Sequence, residues 1–287
     1  MQYSHQIDRE SGQQLPLEVD GLPLHGGAPD AYTVQAVIGS FSAAEREQVD
    51  RLRDRIGPEI GVVDSHFDDV PHLLRRLGFR PRPIAGEDLA ETALPVVAIG
   101  CPHRHTRLDR VDVDRFLQRG GVLLSSDRAI RLPGISAFLG HLPGRPLTRA
   151  RLVRAHRNEH DAIAPVWLDA GHLPIDPATL DASDAQALAT NPLTGEPLVV
   201  VVRSGAGALI HSVPHWLQQP QPDALTSVER RPLRAVPQFR HTGNSYPDLT
   251  LGGFLAQRSL VEVLVESLAM IICASAPADS ADIERGK

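Results

Sequence analysis

Apolar residues in this chain follow two patterns: short unbroken runs, and stripes spaced three or four residues apart. Unbroken runs mark strands covered on both faces, as in a parallel sheet, and the stripes mark amphipathic helices. The stretch from Leu94 to Ser126 holds both. Val96-Val97-Ala98-Ile99 predicts a buried strand. Val113, Phe116 and Leu117 then predict one helical face, capped by Asp109 or Asp112 and ended by Gly120-Gly121 before the strand Val122-Leu123-Leu124. Strand, crossover helix and strand make a βαβ unit, so these two strands are expected to run parallel.

The flanking chain extends the pattern. Tyr32 to Ile38 reads as an edge strand. Ser42-Ala-Ala-Glu45 is a capping box, and Val49, Leu52 and Ile56 stripe the helix it opens. Ile60 to Asp64 reads as the first central strand, with Asp64-Ser65-His66-Phe67 as its exit loop. Asp68 or Asp69 starts a helix through Leu73, Leu74 and Leu77 that Gly78 stops. Phe79 to Ile84 is a strand interrupted by Pro81 and Pro83, which places it near a sheet edge. After Ser126, Asp127 to Leu132 predicts a short helical turn broken by Pro133-Gly134, and Ile135 to Leu139 resumes it. Leu147 to Ala155 and Gln186 to Ala189 read as strands, with irregular structure over 156–180. Leu198 to Arg203 and Ala208 to Val213 form an antiparallel hairpin across Ser204-Gly205-Ala206-Gly207. Gly252 to Cys273 is a long closing helix. The expected organisation is an N-terminal arm over 1–41, one α/β domain over 42–274, and a disordered tail over 275–287. The proline-rich insertion 218–251 reads as a lid, a binding loop or an arm joining copies into a homo-oligomer.

Composition narrows the classes of partner. The 287 residues carry 42% hydrophobic and 22% charged side chains, ordinary values for a globular chain that can bury a sizeable core. The net charge of −6 argues against a nucleic-acid-binding surface. Cys101 and Cys273 sit in unlike contexts and suggest no disulfide framework. The N-terminal residues lack the basic and apolar regions of a signal peptide. The apolar stretch Leu251 to Ala274 carries Arg258, Glu262 and Glu266 on one helical face, so it is expected to face the core and not to cross a membrane. The expected location is the cytoplasm.

Three segments together carry a family resemblance: VVDSHFDD with the following helix and LGFRPRPI, ALPVVAIGCP through VDRFLQRGGVLLSS, and EPLVVVVRSGAGALIHSVPHW. Over roughly 58–217 they resemble the class I glutamine amidotransferase-like superfamily, in particular its ThuA-like branch. The resemblance implies a flavodoxin-like three-layer α/β sandwich with a mainly parallel central sheet and a late antiparallel hairpin. It also implies a strained nucleophile elbow at Leu124-Ser125-Ser126-Asp127-Arg128. Glutaminases of this superfamily place a cysteine between glycines there, and follow their histidine two residues later with an acid. This chain has neither feature: His211 is followed by Ser212-Val213 and His215 by Trp216-Leu217. The implied function is therefore a non-glutaminase member of the superfamily, a small-molecule-binding or accessory protein.

Candidate chemistry gathers where the parallel strands end, since open α/β sheets bind ligands outside the carboxyl ends of their strands. Asp64 and His66, then Cys101, His103 and His105, then Ser125, Ser126 and Asp127, then His211 and His215 follow such strands. A serine-hydrolase reading assigns Ser126 (or Ser125) as nucleophile, His215 or His211 as base and Asp64 or Asp127 as its orienting acid, with His66, Cys101, His103, Ser125, Asp127 and His211 lining the ligand. A metal-assisted reading takes imidazoles from His66, His103, His105 and His215 with Asp64, although their spacings match no standard ligand motif. No cofactor follows from these residues. A structural subunit assembling through 218–251 is the remaining reading.

Overall fold

A computed structural model describes residues 18–19, 22–23, 31–63, 68–102, 105–144, 152–157, 166–169, 173–182, 184–216, 227–228, 230–247 and 249–274. A two-residue pair of strands, β1 (Glu18–Val19) and β2 (Leu22–Pro23), precedes the main body. One sheet of nine strands then organises the chain. Its parallel half comprises β3 (Glu59–Val63), β4 (Arg80–Ile84), β5 (Val96–Ile99), β6 (Val122–Ser126) and β11 (Gly207–Ser212), in the order β4-β3-β5-β6-β11. Counted along the chain, these five strands run 2-1-3-4-5, the flavodoxin order. The sheet continues antiparallel through β10 (Pro197–Ser204), β9 (Ala185–Thr190), β7 (Leu152–Arg157) and β8 (Val166–Asp169).

Alternation along the strands sends side chains to two helical layers. Val62, Ala98, Leu124, Val201 and Ile210 face α1 (Ala31–Gly39), α2 (Ala43–Ile56), α3 (Val70–Arg76) and the long α8 (Leu251–Ala274). Val63, Val97, Leu123, Val202 and Leu209 face α4 (Arg110–Gln118), the 3-10 turn Asp127–Arg131 and α5 (Pro133–Ser136). The fold is the three-layer α/β sandwich expected.

Local chemistry explains most boundaries. Ser42 and Glu45 close the capping box of α2, and Val49, Leu52 and Ile56 are buried. Asp69 caps α3 by accepting from the His72 N–H. Val113, Phe116 and Leu117 are the buried face of α4, and Gly120 takes a left-handed φ of 93° just beyond its end. Pro81 and Pro83 are tolerated because β4 lies at the sheet edge.

Three expectations are corrected. Tyr32 to Ile38 lies in helix α1, not an edge strand: Thr33, Val34, Ala36 and Val37 are buried while Gln35 is exposed, a helical rhythm that a short apolar run conceals. The stretch 156–180 is not wholly irregular, since β7 reaches Arg157, β8 spans Val166–Asp169 and α6 spans Pro177–Ala182. The 3-10 turn does stop before Pro133, with Leu132 extended, but the helix resumes at Pro133 itself as α5, where its missing N–H costs nothing, and not at Ile135.

The described part of 218–251 packs against the body. Leu233 is buried, its N–H donates to Leu249 O, and the Phe239 ring lies 4.9 Å from that of Phe254 on α8. Arg258 of α8 pairs with Glu262 at 2.7 Å and with Glu45 of α2, and donates to Ser40, tying the last helix to the first two. No helix among the described residues is long and apolar enough to cross a membrane.

Candidate functional site

Strands β5, β6 and β11 are neighbours, with Ile99 beside Ser125 and Ser125 beside His211. What leaves their carboxyl ends therefore meets at one place. Cys101 follows β5, Asp127 follows β6, and His215 follows β11.

The two serines before the turn are still strand residues, so they point to opposite faces. Ser125 faces the α4 layer, where its hydroxyl lies 2.8 Å from His211 Nδ1 and 3.3 Å from the Ile210 carbonyl oxygen. Both serines and His211 are fully buried. One consistent assignment has the Ser125 hydroxyl donate to Ile210 O and accept from the His211 Nδ1–H. Ser126 faces the α8 layer and donates to Asp68 Oδ2 at 2.7 Å. The same oxygen accepts the Trp216 backbone N–H at 2.9 Å, and Gln257 of α8 donates to Trp216 O at 3.1 Å. Asp68 therefore braces the residue before Asp127 and the residue after His215.

The strained position is Asp127. Its φ of 44° is the only positive φ at a non-glycine among the described residues, and left-handed backbone costs a residue with a Cβ about 1 kcal/mol. The elbow thus falls one residue beyond Ser126, on an aspartate. Ser126 donates to Asp68, while of the serine–histidine pairs drawn from the sequence Ser125 and His211 are the two within hydrogen-bond distance.

At the elbow, Asp127 Oδ2 lies 3.2 Å from His215 Nε2 and 3.5 Å from Cys101 Sγ. Cys101, Asp127 and His215 each present one ligand atom within 4.8 Å of the others. The Asp127 and His215 side chains are 9% and 18% exposed, so His215 is the solvent-side member. Burial works to lower the His215 value, but the Asp127 carboxylate and the Cys101 sulfur outweigh it and hold the imidazole well above its usual range. Burial pushes the Cys101 thiol up, and the opposing pull of His215 does not reverse this. These shifts favour the protonated ring at His215 and the thiol over the thiolate at Cys101, so Cys101 is not a preformed thiolate nucleophile. His211 behaves oppositely: burial lowers it to about 4, against the weaker pull of Asp127.

Of the side chains expected at the crevice, Cys101, Asp127 and His215 come together, Ser125 pairs with His211, and Ser126 turns away. His105 is exposed. Asp64, His66 and His103 lie outside the described residues. Sequence reasoning treated Asp68 only as a possible helix cap. The signal was the Asp68-Asp69 pair itself, because a cap needs one of them and the other is free for a buried role.

No protein-family model matches the sequence, and no curated protein matches it. Among solved structures, a glutamine amidotransferase from Thermotoga maritima is similar at a TM-score of 0.44 and 8% identity, over 75% of this chain and 97% of that one. A ThuA-like protein from Bacteroides uniformis gives 0.37 and 14% identity, over 54% and 81%. An exo-β-1,4-mannosidase from an Opitutaceae bacterium gives 0.37 and 16%, over 67% of this chain and 36% of that one. The chain thus spans about a third of the mannosidase it resembles. At these scores and identities none of the three assigns an activity to this chain.

Proposed function

We propose that this chain is a non-glutaminase, small-molecule-binding protein built on an amidotransferase-like sandwich, its ligand seated at the carboxyl edge beside Asp127 and His215. One observation carries the reading: the strained elbow presents the Asp127 carboxylate, flanked by His215 and Cys101, where a glutaminase needs a nucleophilic thiolate. A buried aspartate paired with an imidazolium cannot attack an amide and expel ammonia as a thiolate does, but it can bind and orient a polar ligand.

The test is a thermal-shift screen with small carboxylates, amides and sugars on the wild-type chain and on Asp127→Asn, alongside an assay of ammonia release from glutamine. A ligand that stabilises the wild type in proportion to its concentration, and Asp127→Asn at least tenfold more weakly, supports the reading. Ammonia release above background that is lost in Cys101→Ser would overturn it.

A further inference from the structure

The spacing of the three elbow groups bears a second consequence. In a tetrahedral zinc site, ligand bonds of about 2.1 Å to nitrogen or oxygen and about 2.3 Å to sulfur set nitrogen and oxygen roughly 3.4 Å apart, and sulfur and oxygen roughly 3.6 Å apart. Here His215 Nε2 and Asp127 Oδ2 are 3.2 Å apart, and Cys101 Sγ and Asp127 Oδ2 3.5 Å. The three ligand atoms all lie within 4.8 Å of one another, so a single ion can reach them together.

We infer that Cys101, Asp127 and His215 form a three-ligand site for a divalent transition ion of the zinc class, with a fourth position open to water or to an oxygen of the bound ligand. The inference rests on the reading of the carboxyl edge as the functional site and names the chemistry there. Thiolate, imidazole and carboxylate suit an ion of borderline softness, and three protein ligands with an open position are the catalytic, not the structural, arrangement. The ligands are set on three adjacent strand ends, and Asp68 fixes the backbone beside two of them through Ser126 and Trp216.

The ion binds Cys101 as a thiolate and His215 Nε2 as a neutral imidazole, so a proton carried by either group leaves to buffer, while Asp127 binds through its carboxylate.

The experiment uses the full chain freed of metal by a chelator and titrated with Co2+ as a spectroscopic stand-in, then with Zn2+. One equivalent of Co2+ should give thiolate-to-cobalt charge-transfer absorption with tetrahedral visible bands, and Zn2+ should displace it. Cys101→Ser should lose the charge-transfer band, and Asp127→Asn should weaken Zn2+ at least tenfold. His241→Ala, exposed on α7 (Arg240–Ser245), should change neither and controls for the other histidines. If a variant does not fold, the wild type still decides: one Zn2+ equivalent should slow alkylation of Cys101 at least tenfold, read by mass spectrometry. Absence of both the band and the protection overturns the metal site. Ligand stabilisation that persists in chelator and depends on Asp127 would then leave the binding reading standing, and its loss as well would sink both.

Discussion

Replacing His211 with glutamine should flatten the acid limb of the stability profile. His211 is fully buried, its Nδ1 is engaged with Ser125, and Nε2 has no hydrogen-bond partner. A proton added at Nε2 would create a buried cation with an unaccepted N–H, which is why burial depresses the value from 6.5 to about 4. Two other charges act on it: the Asp127 carboxylate favours protonation, and His141 opposes it. The sign follows from proton binding. The unfolded chain takes up a proton near pH 6.5 while the folded chain resists until about 4, so stability is complete above 6.5 and falls as pH drops through that window. For one site with these two values the loss is about 0.2 kcal/mol at pH 7, about 2 kcal/mol at pH 5 and about 3 kcal/mol at pH 4. His211→Gln keeps a polar partner for Ser125 and does not titrate, so it should cost about 1 kcal/mol at pH 7 and lose that deficit by pH 5. Urea unfolding of both proteins at half-unit pH steps measures this. Parallel stability curves for wild type and variant between pH 7 and pH 5 would refute the reasoning.

Asp127→Asn keeps a residue tolerant of left-handed backbone but removes the charge, so burial should then dominate at His215. Its imidazole should change from protonated to neutral at pH 7, read by NMR titration of the ring protons, and an unshifted midpoint would contradict the assigned pairing. Asp68→Ala strands the Ser126 hydroxyl and the Trp216 N–H without their acceptor, and should destabilise by about 2–5 kcal/mol in a denaturant midpoint. In Gly207→Ala the new methyl falls against the Gly121 and Leu117 carbonyl oxygens, so the loss should exceed about 3 kcal/mol, whereas Gly195→Ala, with open space around it, should cost no more than the strain of its positive φ, about 1 kcal/mol.

The fold was legible where one element's pattern had a single solution. The run Val96 to Ile99 and the stripe Val113, Phe116 and Leu117 could only be a buried strand and its covering helix, and the capping box at Ser42 and Glu45 names its own function. Tyr32 to Ile38 had two solutions, because seven residues are too few to separate a buried helix face from a strand; its packing against α8, distant in sequence, decided it. The site was legible as a set of loops and not as a set of contacts. That Cys101, Asp127 and His215 would follow adjacent strands was visible from the topology. That Ser126 would belong to the strand and Asp127 to the turn was not, because a shift of one residue reverses every side chain and the sequence carries no glycine to mark the turn.

The position of that shift bears on why an aspartate occupies the elbow. Glycine would take the same φ without strain, so local stability alone disfavours aspartate by about 1 kcal/mol. Its environment is equally unfavourable, since a carboxylate kept at 9% exposure loses most of its hydration and must recover it from His215 and its other neighbours. Two separate costs thus converge on one side chain, at the one point where three parallel strands deliver polar groups. The proposed site, with a fixed carboxylate between an imidazole and a sulfur, gives that combination a use, and the Asp68 brace accounts for how the strain persists: it pins the chain on the strand side through Ser126 and pins the partner loop through Trp216, so the elbow cannot relax without breaking two buried hydrogen bonds.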